Sequence, residues 1–85
     1  RLNITSNPLR RGEQMKVSLN NGKQLGRVQV YNLKGQKIKD FYTTQPEIVF
    51  TSDEFPNNGI YFLRFPELPA AKAGNPTTHK IIILK

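Results

Sequence analysis

The chain has 85 residues, no cysteine and a net charge of +7. A chain of this length holds one domain with a modest core, and without cysteine it has no disulfide framework and no thiolate for catalysis or zinc binding. No apolar run approaches the about 20 residues of a membrane-spanning helix, and the first residues lack the apolar segment of a signal peptide. We therefore expect one domain, residues 1–85, with no membrane-spanning segment. Because the sequence begins with Arg1, we expect it to be a fragment of a longer protein.

The positive charge raises the question of a nucleic-acid partner. Lysines and arginines are spread along the chain, and the densest group, Lys34, Lys37 and Lys39, flanks a predicted turn. Charged residues beside a turn normally face water, so we favour a solvated basic surface and predict no nucleic-acid partner. Attraction to an anionic cell surface stays open. A nucleic-acid-binding barrel would require the basic residues to converge on one face with Tyr31 or Tyr42.

Short alternating segments predict strands in the N-terminal part of the chain. Residues 2–5 alternate apolar and polar side chains, and we expect Asn7 and Pro8 to end this strand because proline cannot continue a hydrogen-bonded ladder. Residues 15–19 alternate in the same way, which predicts a strand with one buried face. The Asn-Gly pair within residues 20–22 then predicts a hairpin turn, because both residue types tolerate a positive φ.

A second hairpin is predicted at the centre of the chain. Its first strand covers residues 28–31, and Asn32 to Gly35 form the turn. Gly35 supplies the left-handed position that closes a type I turn with a bulge. The return strand covers residues 36–42, and we expect Lys39 to face outward.

Two apolar runs lie in the C-terminal half of the chain, Gly59 to Phe65 and Lys80 to Lys85. Their apolar residues are consecutive, which is typical of strands that are covered on both faces. We therefore expect a hairpin of two central strands, joined by a polar connection at residues 66–79.

No stretch of the sequence has a sustained helical period, and residues 47–51 add one more alternating segment. Short strands separated by turns predict an all-β fold, namely an Ig-like antiparallel β-sandwich of about seven strands. A closed barrel is the alternative. The predicted core consists of Ile4, Met15, Val17, Val28, Val30, Ile38, Ile48, Phe50, Tyr61, Leu63, Ile81 and Ile83.

The sequence offers little catalytic or metal-binding chemistry. His79 is the sole histidine, and a catalytic triad needs a hydroxyl or thiol poised by a base that a carboxylate orients. Asp53 and Glu54 are adjacent, so on an extended chain they point to opposite sides and make a poor metal site or acid–base pair. The aromatic residues could stack on sugars or bases, but packing explains most of them equally well. We predict that the chain is not an enzyme and binds no metal or cofactor.

Four segments in chain order carry a family resemblance: Asn7-Pro8, VQVYNLKGQKI at residues 28–38, NGIYFLR at 58–64 and HKIIILK at 79–85. They resemble, in turn, the Pro-Asn-Pro opening, the Val-x-Ile-Tyr-Asp-Leu-x-Gly-Arg-x-Val signature, the Ala-Gly-Ile-Tyr-x-Leu-x segment and the Lys-Ile-x-Val-x-Lys terminus of the type A C-terminal sorting domain of the type IX (Por) secretion system. Together they cover nearly the whole chain.

The sequence departs from that pattern in four places. Ser6 stands where the family usually has proline, Asn32 replaces the commoner aspartate, and Gln36 replaces an arginine. The connection at residues 66–79 is longer than the family's short hairpin. The turn glycines and the strand alternation remain.

The resemblance implies a non-catalytic signal domain of Bacteroidetes-type bacteria. Such a domain follows an N-terminal cargo domain and directs it from the periplasm across the outer membrane to the cell surface or the medium. Its partners are the outer-membrane translocon and a surface sortase, which would cleave at or before Arg1. The resemblance places translocon recognition at Gly59, Tyr61, Lys80, Ile81, Ile83 and Lys85. It gives structural turn roles to Asn7, Pro8, Asn32 and Gly35.

Some of these residues have another explanation. A role in the fold accounts for Gly59 and Tyr61 equally well, whereas Lys85 has the clearer functional case because a chain-terminal lysine packs nothing. Whether a translocon would add to an edge strand or bind a folded face stays open, as does dimerisation.

A different class of function also fits the sequence. An Ig-like or fibronectin-like accessory module, which binds carbohydrate or protein on an extracellular enzyme, explains the fold and the aromatic residues. It does not explain why the family-like run ends at Lys85. A sorting signal must be C-terminal in its parent protein, whereas an accessory module has no fixed place.

Overall fold

The computed structural model describes residues 2–19, 24–67 and 78–85. Its strands are β1 (Leu2–Ile4), β2 (Leu9–Arg10), β3 (Gln14–Leu19), β4 (Gly26–Asn32), β5 (Lys37–Thr43), β6 (Glu47–Thr51), β7 (Gly59–Arg64) and β8 (Thr78–Leu84). A 3-10 turn, Ser52–Glu54, follows β6. No segment within the described ranges forms a helix long and apolar enough to cross a bilayer. The hairpin turn predicted at residues 20–22 lies outside the described residues.

The strands form two sheets whose order defines the fold. One sheet has three strands in the order β1-β3-β6, and the other has five in the order β2-β8-β7-β4-β5. The N-terminal segment therefore contributes β1 to the first sheet and β2 to the second. Side chains of both sheets share one core. Two mainly antiparallel sheets around a common core form an Ig-like β-sandwich, which confirms the predicted fold class.

The strand β2 differs from the prediction in two ways. It is an additional strand of two residues, and it pairs with β8 in parallel, Leu9 opposite Ile83 and Arg10 opposite Leu84. Two residues are too few to show an alternation of apolar and polar side chains, so the sequence pattern gives no signal for this strand.

The chain crosses from one sheet to the other where the sequence predicts a strand end. The N–H of Thr5 donates to the carbonyl of Lys16 at 3.0 Å, and the hydroxyl oxygen of Thr5 accepts the N–H of Lys16 at 3.1 Å, so that Thr5 still pairs with β3. Ser6 then has a φ of 58°, and the peptide bond between Asn7 and Pro8 is cis. Beyond this turn, Leu9 is fully buried in the core.

The core lies between the two sheets, and nine of the twelve predicted core residues are buried in it. The other three are partly buried against them: Ile4, Ile38 and Ile48. The prediction missed four fully or almost fully buried residues: Leu9, Leu25, Phe55 and Phe65. Leu9, Leu25 and Phe55 lie in loops or in β2, where no period of two marks an inward side chain, whereas Phe65 continues the alternation of Tyr61 and Leu63 one residue beyond β7.

The two C-terminal apolar runs are one-sided strands, so the prediction that both of their faces are covered is wrong. The buried residues are Tyr61 and Leu63 in β7 and Ile81 and Ile83 in β8, whereas their neighbours are half-buried or exposed. β7 is central, between β8 and β4, but β8 has the two-residue β2 on its other side. Because each sheet of a sandwich packs on one face, the consecutive apolar residues give the sheet an apolar outer face.

The β4–β5 hairpin contains the predicted turn. The N–H of Gly35 donates to the carbonyl of Asn32 at 3.0 Å, and Gly35 has a φ of 85°. The register shifts after Val30, so that Lys39 lies opposite Val30 on the inward side of β5. This corrects the prediction that Lys39 faces outward, because a bulge adds one residue and inverts the alternation beyond it.

Candidate functional site

The three longest segments that carry the family resemblance are neighbours in one sheet. Residues 28–38 include most of β4, residues 58–64 include β7, and residues 79–85 include most of β8. β7 pairs with β4 along one side and with β8 along the other. The fold therefore brings together segments that are far apart in the chain.

The fourth segment reaches the same sheet through Asn7. The side-chain amide of Asn7 donates to the carbonyl of Lys80 at 3.2 Å and accepts the N–H of Ile82 at 3.0 Å. An amide that bonds two backbone groups of one strand takes the place of a neighbouring strand at that point. Asn7 and Pro8 thus lie in the turn between the sheets, and Asn7 also binds the edge of β8.

Three of the six predicted recognition residues are buried in the core, namely Tyr61, Ile81 and Ile83. The hydroxyl of Tyr61 donates to the carbonyl of Asn57 at 2.8 Å and accepts the N–H of Asn57 at 3.2 Å. A strand tyrosine bonded to the backbone a few residues upstream is the tyrosine corner of Ig-like sandwiches. In the folded domain these three side chains hold the sandwich together and do not present a surface to a partner.

The other three predicted recognition residues are accessible to different extents. Lys80 is exposed on β8, and Lys85 is exposed directly after it. The N–H of Lys85 donates to Oδ1 of Asn58 at 2.8 Å, which fixes the backbone of Lys85 but not its side chain. Gly59 is half-buried and has a φ of 140°, which side-chain-bearing residues rarely adopt, so the backbone itself requires glycine there.

Asn32 organises the β4–β5 turn with its side chain. Its Oδ1 accepts the N–H of Lys34 at 3.0 Å and the N–H of Gln36 at 2.9 Å, and its amide donates to Oε1 of Gln36 at 2.8 Å. Asn32 and Gln36 are the two departures from the family pattern in this segment. They pair with each other by a hydrogen bond, and an aspartate and an arginine at the same positions could pair by charge.

The outer face of the five-stranded sheet, called the basic face below, combines cations with apolar side chains. Phe62 lies opposite both Lys80 and Tyr31, and Tyr31 lies opposite Lys37. The cations of this face are Arg10, Arg27, Lys37, Arg64 and Lys80. Its apolar and aromatic members are Tyr31, Tyr42, Ile60, Phe62, Ile82 and Leu84. The basic residues thus converge with Tyr31 and Tyr42 as a nucleic-acid site would require, but on a sandwich and not on a closed barrel.

Asp40 is a carboxylate within the basic face. Nε and Nη2 of Arg27 donate to its two oxygens at 2.9 and 2.7 Å, and Nζ of Lys37 donates to it at 2.8 Å. The hydrogen bonds from Arg27 and Lys37 hold the pKa of Asp40 well below its ordinary value, and the bond to Asp40 raises the pKa of Arg27. Two cations on one carboxylate leave this corner of the face positive.

The residues with catalytic potential are dispersed. His79 is half-buried on β8 with its ring 6.2 Å from the ring of Phe65, and burial lowers its pKa. Glu54 pairs with Nζ of Lys39 at 2.8 Å, while Asp53 is exposed. Within residues 2–19, 24–67 and 78–85, no group of three or more His, Cys, Asp or Glu side chains is arranged to hold a metal ion.

The basic face was not predicted from the sequence. Within a strand the alternation is visible, since Arg27 and Gln29 point away from the buried Val28 and Val30. The order and register of the strands decide which of these outward residues become neighbours, and the sequence pattern contains neither.

The fold defines the protein as a small Ig-like β-sandwich. No family model, no curated protein and no solved structure matches the chain. The function is therefore inferred from the residues themselves.

Proposed function

We propose that the chain is a non-catalytic signal domain that directs a cargo protein across the outer membrane by the type IX secretion system. The observation that supports this proposal is the convergence of the four family-like segments on one part of the fold. β4, β7 and β8 lie side by side, and Asn7 binds the edge of β8. A signal that is recognised on a folded domain requires such a surface, which is built from segments far apart in the sequence.

On this proposal the domain follows its cargo in the parent protein and folds in the periplasm. Its first partner is the outer-membrane translocon, and its second is the surface sortase that removes it. The cargo then stays on the outer-membrane surface or enters the medium. The domain contributes recognition and no covalent chemistry of its own.

We assign recognition in the folded domain to the exposed lysines on β8 and directly after it. Lys80 and Lys85 present their ammonium groups to solvent, whereas Tyr61, Ile81 and Ile83 support the strand from within the core. The buried residues then matter for export because they keep β8 in place, and the two lysines matter because they contact the translocon.

A fusion protein tests the proposal directly. A reporter with a signal peptide is joined to residues 1–85 and expressed in a bacterium that has the type IX system, and in a translocon-null strain of the same bacterium. We expect the reporter on the surface or in the medium of the first strain and in the periplasm of the second. A folded domain that leaves the reporter in the periplasm of both strains would refute the sorting function.

Two further fusions test the assigned residues. The double variant Lys80→Ala/Lys85→Ala should reduce export without unfolding the domain, because both side chains are exposed. The matched control is Lys16→Ala/Lys34→Ala, which removes two exposed lysines elsewhere on the surface and should leave export unchanged. Equal export of both variants would remove Lys80 and Lys85 from the recognition surface.

The basic face favours a second candidate function, an accessory module that binds a partner beside an extracellular enzyme. Exposed apolar patches that are rimmed by polar residues often mark interaction sites. On this alternative the reporter stays in the periplasm of both strains, and the purified domain binds a ligand through the basic face.

A further inference from the structure

We infer that the basic face is a docking surface for an acidic polypeptide segment that carries apolar side chains between its carboxylates. This inference goes beyond the proposed function and does not depend on it, because it concerns a face whose composition is unlike the rest of the described surface.

Charge distinguishes the two outer faces of the sandwich. The basic face carries five cations and Asp40, and two of those cations already bond that carboxylate. Glu67 follows β7, and its carboxylate lies beside Gly26 at the start of β4 and raises the pKa of Arg27. On the opposite face, formed by β1, β3 and β6, Lys16 is balanced by Glu47. The positive charge of the described strands is therefore concentrated on one side, where it would attract carboxylates.

An apolar centre lies among these cations. Ile60 is opposite Ile82, Phe62 is opposite Tyr31, and these side chains are half-buried. Leu84, at the end of the same face, is 37% exposed. Apolar and aromatic residues at the centre with arginine at the periphery are the usual composition of a protein–protein interface.

The spacing of the cations fits an extended peptide that lies across the strands. Lys80, Phe62, Tyr31 and Lys37 occupy one row of four neighbouring strands. Strands are about 4.8 Å apart, so the backbones of Lys80 and Lys37 are separated by about 14 Å. In an extended peptide, residues four apart point to the same side and lie about 13–14 Å from each other, with one more side chain midway on that side. Two acidic residues would thus reach Lys80 and Lys37 while an apolar residue between them covers Phe62 and Tyr31.

The centre of this face is poorly suited to the other anionic polymers. Stacking of bases or sugars needs an open ring face, but the guanidinium of Arg64 lies 5.7 Å from the ring centroid of Tyr31 and covers part of it. The open ring, that of Tyr42 with 61% exposure, lies on β5 at the edge of the sheet and away from this centre. Ile60 and Ile82 are branched and offer no flat surface. A second copy of the chain is disfavoured as well, because it would bring like charges together.

Peptide binding to the full chain, observed by nitrogen-15 NMR, tests the inference. The probe is the capped peptide ESLSESLSE, whose glutamates are four residues apart with leucine midway. We expect chemical-shift changes concentrated on β8, β7, β4 and β5, and affinity that falls as salt is added. The peptide ESSSESSSE has the same charge but no apolar side chain and should bind at least about threefold more weakly.

Charge reversal provides the variant and its control. Lys37→Glu/Lys80→Glu should weaken ESLSESLSE binding by about tenfold. The control Lys16→Glu/Lys34→Glu changes the net charge by the same amount at exposed positions off the face and should change binding much less. Thermal melts of all variants show whether each is folded, and the shift map of the unmodified chain does not depend on any variant.

Three results would overturn the inference. The first is no binding of ESLSESLSE at low salt, and the second is a shift map outside the basic face. The third is tighter binding of a nine-nucleotide oligothymidylate or of heparin than of the peptide, which would assign the face to a nucleic acid or to an anionic polysaccharide.

Discussion

The side chain of Asn7 accepts the backbone N–H of Ile82 at 3.0 Å, although 75 positions separate the two residues. The same amide donates to the carbonyl of Lys80 at 3.2 Å. β2 continues this coverage of β8, and the N–H of Arg11 donates to the carbonyl of Leu84 at 3.0 Å. The N-terminal segment therefore occupies much of an edge that would otherwise be open to pairing with another chain.

Replacing Asn7 should weaken this attachment in a graded way. Asn7→Leu removes both hydrogen bonds and should lower the free energy of unfolding by about 1–2 kcal/mol. Asn7→Asp keeps the acceptor for the N–H of Ile82 but removes the donor, so its effect should be smaller. Urea unfolding curves of the three proteins measure the difference. If both variants were as stable as the unmodified chain, the hydrogen bonds of Asn7 would not be what holds the segment.

The occupied edge bears on how a translocon would bind the domain. Strand addition along β8 between Lys80 and Leu84 would first require residues 7–11 to leave, whereas a folded face needs no such displacement. We therefore favour recognition of the folded face, with Lys80 and Lys85 as its contacts.

The tyrosine corner is expected to contribute to stability through its hydroxyl. Tyr61→Phe keeps the buried ring but removes both bonds to the backbone of Asn57, so the free energy of unfolding should fall by about 1–2 kcal/mol. Tyr31→Phe is the matched control, because the contact of the Tyr31 hydroxyl within the described part of the chain is a long one, 3.4 Å to Oε1 of Gln29. Thermal and urea unfolding compare the two. An equal loss in both variants would contradict a special role for the corner.

The fold was predictable because alternation and turn residues are local signals. The strand at Met15 and Val17, the strand at Val28 and Val30, and the turn closed by Gly35 all follow from residues close in sequence. The predictions that were wrong concern features that are set by residues far apart in the sequence. The bulge that turns Lys39 inward arises from the pairing of β5 with β4, and no sequence pattern within β5 indicates it.

The candidate site was less predictable for the same physical reason. The alternation predicted Ile81 and Ile83 in the core, where they are buried, whereas the resemblance also gave them a role in recognition, because a family pattern carries no information on the direction of each side chain. The basic face requires knowledge that β2, β8, β7, β4 and β5 lie in that order. Strand order is set by the packing of the whole core and not by any one segment.

The variant Gly59→Ala distinguishes a structural role of Gly59 from a role in recognition. Its φ is 140°, and a Cβ at this position would meet no atom within 4 Å, so the cost of Gly59→Ala is conformational. We expect a loss of about 1–2 kcal/mol in the free energy of unfolding. Gly35→Asn is the control, because asparagine tolerates the φ of 85° at that position. If Gly59→Ala instead abolished export of the fusion protein while leaving its unfolding curve unchanged, Gly59 would be a recognition residue.

The ion pairs of Asp40 should make stability depend on pH in the acid range. The pKa of Asp40 is lower in the folded chain than its ordinary value of 3.8, because Arg27 and Lys37 bond its carboxylate. The unfolded chain therefore takes up the proton first, and the stabilisation is present above about pH 4 and is lost as the pH falls through the folded pKa. Asp40→Asn should thus be less stable than the unmodified chain near pH 7, and the difference should shrink toward about pH 2.

Urea unfolding at a series of pH values, in low and high salt, measures this difference. High salt should reduce it at neutral pH, because the pairs are exposed and salt screens them. Glu47→Gln is the control, since it removes an exposed carboxylate from the opposite sheet. The free energy of unfolding of Asp40→Asn could instead differ from that of the unmodified chain by a constant amount down to about pH 2. In that case the shape and hydrogen bonds of the side chain, and not its charge, would stabilise this corner of the basic face.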